Sequence, residues 1–136
     1  MVTGKTFDDL GPLQQAVMQT VWEMGEATVQ QVLDRLTQEK PHRYTTILSI
    51  MQRLEKAGWL EHRTVDRTYI YRATSTHESE AARSLKNFVN RVFRGNSQLM
   101  LQYFIKEQEL SDKDLKALSD MIKARRKEKS DDRRSS

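Results

Sequence analysis

The chain has no cysteine, which excludes disulfides, thiolate metal sites and cysteine nucleophiles together. Proline and glycine are scarce, two and five in 136 residues. With 37% hydrophobic and 31% charged residues, that scarcity suits a helix-rich folded chain better than a sheet protein or a disordered one. No apolar run approaches the ~20 residues needed to cross a bilayer, and the opening MVTGKTFDDL lacks the apolar core of a signal peptide. The expected location is the cytoplasm. Three histidines fall on a loop, a strand and a linker, and no nucleophile sits beside a base, no paired-carboxylate motif occurs, and no glycine-rich phosphate loop is present. No catalytic residue, metal site or cofactor is therefore expected, and the length allows one domain or a small domain with an appendage.

Charge is distributed unevenly. Residues 1–36 carry two basic side chains against five acidic ones, whereas residues 40–72 carry seven against three. A basic middle after an acidic start points to a polyanionic partner at the middle, or to a solvated surface whose charges happen to cluster.

The organising stretch is YTTILSIMQRLEKAGW, residues 44–59. Ile47, Ile50, Met51 and Leu54 recur at the helical period and predict one buried stripe. Thr45, Ser49, Gln52 and Lys56 fall on the opposite side, flanked by Thr46, Leu48 and Arg53, with no acidic residue before Glu55. A short, polar, neutral-to-basic face of this kind suits a major groove. Leu48 at its margin would touch a thymine methyl or pack back on the protein. Gly58 stands where a helix end needs a positive φ.

Upstream, a helix from Pro12 to Met24 is predicted, with Leu13, Val17, Thr20, Val21 and Met24 as its stripe, stopped by Gly25. A second starts at the cap Thr28, buries Val29, Val32, Leu33 and Leu36, and ends near Glu39. Lys40 to Arg43 are too few for a crossover and fit a turn between steeply packed helices. Downstream, Trp59 to Val65 and Thr68 to Ala73 tend toward strand alternation about Asp66 and Arg67, which predicts a tight hairpin. Helix, helix, turn, helix and hairpin make a winged helix-turn-helix. Arg63, Arg67 and Arg72 decorate the wing, with Arg67 at its tip placed for a phosphate or a minor groove. His42 and His62 are assigned surface or packing roles.

After the linker-like TSTHES, with Thr76 or Ser79 as a cap, three amphipathic helices are expected. Their apolar residues are Ala82, Leu85, Phe88, Val89, Val92 and Phe93; then Leu99, Met100, Tyr103, Phe104 and Ile105; then Leu110, Leu115, Leu118, Met121 and Ile122. Ser111 and Asp114 resemble a capping box. These faces exceed what a small winged-helix domain can cover, so they predict a dimerisation module or a self-contained helical subdomain. The expected fold is mainly α with a small β-hairpin wing. It divides into a winged helix-turn-helix DNA-binding domain over residues 1–74, a three-helix dimerisation module over 75–125 and a disordered tail over 126–136.

The segments LGPLQQAVMQTVWE, YTTILSIMQRLEKAGWL, RTYIYRA, KNFVNRVFRG and LMLQYFIKEQELS, taken as an ordered set, resemble the penicillinase repressor family of bacterial winged-helix regulators, also called BlaI/MecI/CopY. The resemblance spans Leu10 to Ile122. It implies a homodimeric repressor bound to an inverted-repeat operator in double-stranded DNA, with a carboxy-terminal dimerisation module. By position, Thr45, Thr46, Ser49 and Arg53 match the family's groove-facing residues, and Arg67 and Tyr69 lie in its wing. With Arg43, Gln52 and Lys56 these form the expected DNA-binding set. The expected dimerisation set is Phe88, Val92, Leu99, Tyr103, Phe104, Leu115, Leu118 and Ile122.

Copper-sensing members carry a carboxy-terminal cysteine cluster that this chain lacks. Members controlled by β-lactam receptors are cut at an Asn-Phe bond, which implies a membrane sensor protease as a further partner. Ungapped matching puts Tyr103 and Phe104 at that bond, so the Phe is kept and the Asn is not. The competing reading is a winged-helix protein-protein interaction module without specific DNA binding. Such a module should carry apolar or acidic residues at 45, 49, 52 and 56, where this chain has Thr, Ser, Gln and Lys.

Overall fold

A computed structural model of the chain describes residues 5–135; positions 1–4 and 136, at the ends of the expected first domain and tail, lie outside them. The described residues form two compact units, the first reaching Val92 and the second starting at Phe93.

In the first unit a short 3-10 turn, Phe7–Asp9, leads into α1, Pro12–Met24. The Gly11 N–H donates to Gln14 Oε1 at 3.0 Å, satisfying one of the helix's orphan donors. Val17, Met18, Thr20 and Val21 are its buried face. Gly25 ends it at φ +81, its N–H on the Val21 carbonyl, in the left-handed region that glycine enters without steric cost. Glu26–Ala27 then form a two-residue strand, β1, too short to leave an alternation in the sequence.

Thr28 caps α2, Val29–Thr37, through a reciprocal box: Gln31 N–H donates to Thr28 Oγ1 and Thr28 N–H to Gln31 Oε1, at 3.1 and 2.9 Å. The helix stops two residues short of the expected Glu39. Helix α3 spans Tyr44–Lys56, as the stripe predicts, with Ile47, Met51 and Leu54 buried and Ile50 only half buried.

Gly58, at φ +91, hands α3 to strands β2, Leu60–Val65, and β3, Thr68–Ala73. Their antiparallel register runs from Leu60 opposite Ala73 to Val65 opposite Thr68. Asp66 and Arg67 have φ of +49 and +67, the paired left-handed residues of a two-residue hairpin turn. β1 joins the far edge of β3, giving the order β1-β3-β2. The core comprises Val17, Met18, Val21, Ala27, Val32, Ile47, Met51, Leu54, Trp59, Leu60 and Tyr71 among others. Each large side chain among them contributes about 1.5–3 kcal/mol by leaving water.

Helix α4, His77–Val92, belongs to this first unit, so the boundary expected after residue 74 lies instead after Val92. The polar stretch that reads as a linker is anchored. Trp22 Nε1 donates to the Ser75 carbonyl at 2.8 Å, Thr74 Oγ1 donates to the Gly58 carbonyl at 2.6 Å, and Thr76 Oγ1 caps the helix by accepting from Ser79 N–H. Arg83 pairs with the buried Glu80 at 2.9 Å, donates to the Lys5 carbonyl and lies over the Trp59 ring. Arg91 reaches Asp8 at 3.1 Å. The Thr76 cap is one the sequence offers and the Arg83–Glu80 pair is local to α4; the links to Trp22, Gly58, Lys5, Trp59 and Asp8 have no local sequence signature.

The second unit holds α5, Ser97–Glu107, and α6, Asp112–Ser135. Asn96 Oδ1 accepts from Leu99 N–H at the start of α5. Ser111 and Asp114 make the expected reciprocal box before α6. Leu101, Phe104, Ile105, Leu118, Met121 and Ile122 line a cavity of about 240 Å³. Instead of the disordered tail expected over 126–136, helix continues to Ser135. Ion pairs one turn apart, Lys116 with Asp120 and Arg125 with Glu128, lie along this helix, and such pairs add to its support.

Candidate nucleic-acid interface

The core stripe of α3 turns its other side to solvent. Thr45, Thr46, Gln52, Arg53 and Lys56 are exposed and Ser49 is half buried. Arg43 occupies the N-cap position of α3 without capping it through its side chain. Among the described residues Arg43, Arg53 and Lys56 form no ion pair with a carboxylate. The one acidic residue of α3, Glu55, turns to His62, with Oε2 2.6 Å from the ring Nδ1. The exposed face of α3 is thus cationic and polar with no carboxylate paired to it among the described residues, and Leu48 at its margin is partly buried against the core.

The wing arginines divide by register. Arg63 and Arg72 share the outer face with Glu26 and Glu61, and they form ion pairs: Arg63 Nε with Glu26 Oε2 at 2.9 Å and Arg72 Nε with Glu61 Oε1 at 2.6 Å. The Arg63 hydrogen bond holds the Glu26 carboxyl below its ordinary value and raises the guanidinium in return. Both groups are exposed, so solvent screens the attraction. Arg67, at the turn, has no such partner among the described residues. It sits in the two-residue turn past the last ladder pair, Val65 opposite Thr68.

Tyr69 is 48% exposed and stacks on His62, ring centroids 3.9 Å apart and planes 11° from parallel. Tyr71, on the same face of β3, is buried, and burial pushes its phenol above the usual range, with Glu55, Tyr69 and Tyr44 adding to the shift. Thr28, Gln30, Tyr44, Leu48, Arg67 and Tyr69 line a groove of about 460 Å³ between the start of α2, α3 and the wing. Sequence reasoning missed Gln30 and Tyr44 here, because only the fold brings them to Arg67.

Of the residues expected to dimerise, Phe88 and Val92 lie on α4 and are exposed. In the second unit Tyr103, Phe104, Leu115 and Ile122 are exposed, while Leu99 and Leu118 are half buried. The Tyr103-Phe104 bond lies inside α5. Among the described residues, no three of His, Asp or Glu gather closely enough to hold a metal ion, and no helix is long and apolar enough to cross a membrane.

The family described as penicillinase repressor matches residues 10–124. This chain belongs to that family. Its members are transcriptional repressors and not enzymes. The methicillin resistance regulatory protein MecI of Staphylococcus aureus (strain N315) is 20% identical over 118 residues, covering 87% of this chain and 95% of its own. The penicillinase repressor of Bacillus licheniformis is 21% identical over 125 residues, 92% of this chain and 98% of its own. Among solved structures, the DNA-binding domain of the repressor BlaI is similar over 54% of this chain and 90% of that one, with 22% identity and a TM-score of 0.48. The penicillinase repressor relatives therefore match this chain along nearly its whole length.

Proposed function

We propose that the chain is a sequence-specific transcriptional repressor that acts as a homodimer on an inverted-repeat operator in the cytoplasm. The observation that carries the reading is the pairing of a polar face on α3 with Arg67 at the wing tip, neither of them answered by a carboxylate among the described residues. In this reading Thr45, Thr46, Ser49, Gln52 and Arg53 of each subunit read base edges in successive major grooves. Arg43, Lys56, Arg67 and Tyr69 hold the flanking backbone, and the bound dimer blocks polymerase access to a promoter.

Dimerisation uses the exposed apolar side chains Tyr103, Phe104, Leu115 and Ile122 with Leu99 and Leu118 in the second unit, and Phe88 and Val92 on α4 in the first; exposed apolar side chains cost free energy in water unless a second copy covers them. Release by a membrane sensor protease at Tyr103-Phe104 requires α5 to unwind locally first. A chain left intact after full induction beside a cognate protease would dismiss that route.

The deciding experiment is a salt titration of binding to a duplex carrying the inverted repeat upstream of the protein's own gene, beside a scrambled duplex of equal length. The expected outcome is salt-sensitive binding with a preference of ~10³-fold or more for the repeat. Equal, weak binding to both would reject the sequence-specific reading.

A further inference from the structure

One imidazole touches both halves of the proposed reading head. His62, on β2 with its side chain 26% exposed, meets the last turn of α3 on one side through the 2.6 Å contact from Nδ1 to Glu55 Oε2. On the other side its ring stacks on Tyr69, two residues from Arg67 at the wing tip. Its cross-strand partner Tyr71 lies 5.5 Å away, tilted. Placing a proton on the ring strengthens both contacts. The Glu55 contact becomes a full ion pair, and the Tyr69 ring faces a cation.

The ionisable groups around this ring are Glu55 from α3 and Tyr69 and Tyr71 from β3, with Tyr44 at the start of α3 acting on Tyr71. On β2 itself Glu61 and Arg63 occupy the opposite face and are engaged with Arg72 and Glu26. Glu55 is therefore the anion that answers a charged His62.

We propose that His62 is the positioning residue of the wing: in its protonated form it clamps Tyr69 to α3 and holds Arg67 in place for DNA, so that operator affinity rises as pH falls through the histidine range. This rests on the DNA-binding reading above. Histidine is the side chain whose charge ordinarily changes between about pH 5 and 8, which sets the pH window for the test.

The test has two arms, both on the full chain. In the first, without DNA, the Tyr69 ring and Arg67 amide resonances are followed by NMR from pH 8 to 5.5 in wild type, His62→Gln and Glu55→Gln. The Tyr69 ring should titrate together with the His62 ring in wild type and lose that step in His62→Gln, with Glu55→Gln reducing it. A Tyr69 resonance that stays fixed while His62 titrates overturns the proposal. In the second arm, affinity for the upstream inverted-repeat duplex is measured at constant ionic strength. It should be ~3- to 10-fold tighter at pH 6 than at pH 8 in wild type and in His42→Gln, and flat in His62→Gln. A slope that persists in His62→Gln, or that disappears with His42, overturns it. If no variant binds that duplex at any pH, the operator reading fails, while the Tyr69 titration still decides whether His62 positions the wing.

Discussion

Thr46 and Arg67 make different demands on a duplex. Thr46 is exposed on the polar face of α3, where a hydroxyl can serve one base edge, so Thr46→Ala should relax discrimination at one base pair per half-site by roughly 1–3 kcal/mol. Affinities for single-base operator variants check this, and unchanged discrimination would remove Thr46 from the reading set. Arg67 offers charge, so Arg67→Ala should weaken binding to every sequence alike and flatten the slope of log affinity against log salt by about one unit per half-site. A changed base preference would instead make the wing a reader of sequence. The buried stripe Ile47, Met51 and Leu54 was legible because helical periodicity states it directly. The separation of Arg67 from Arg63 and Arg72 was not. It depends on the strand register that brings Glu26 and Glu61 alongside those two, and Glu26 sits in a strand of two residues. His62 was likewise opaque, because Glu55 and Tyr69 reach it from different elements.

Elements with caps and stops written in the sequence appear where those signals stand: Pro12 and Gly25 around α1, Thr28 and Gln31 at the start of α2, Ser111 and Asp114 before α6. Gly25 has open space around an added Cβ, so Gly25→Ala should cost only its backbone strain, about 1–3 kcal/mol in a denaturant titration. A much larger loss would mean that the turn into β1 also depends on close approach.

The docking of α4 has no local signal and carries its own pH dependence. The Thr6 hydroxyl, donating to Asp8, holds that carboxyl below its ordinary value with Arg91 assisting, and the Thr6 N–H does the same for Asp9. Carboxyls lowered in the folded state stabilise it above their unfolded values and lose that contribution as pH falls through the folded ones. The melting temperature should hold between pH 7 and 5 and fall below about pH 4. Asp8→Asn should lie lower at neutral pH and converge with wild type in acid; parallel curves would deny Asp8 this role.

At the scale of the molecule, the extent of the first unit changes where the chain should be cut. A fragment ending at Gly95 keeps α4 with its contacts to Trp22, Trp59, Lys5 and Asp8. It should fold as a monomer with poor operator affinity, since the half-sites are no longer linked. A fragment ending at Ala73 loses the Ser75 carbonyl and Arg83 and should melt at a lower temperature. Equal melting temperatures would show that α4 does not stabilise the winged helix. The winged-helix topology was legible from the chain, but this boundary was not, because the polar TSTHES stretch is held by partners far away in sequence.

Both tryptophans of the chain sit where α4 meets the rest of the first unit. Trp22 is bonded to the Ser75 carbonyl with the His77 ring 5.2 Å from it, and Trp59 is buried beneath the Arg83 guanidinium. The molecule therefore carries two intrinsic optical reporters at this junction. Undocking α4 hydrates both indoles and moves their emission to longer wavelength, so the seating of that helix can be followed in real time in the unlabelled protein.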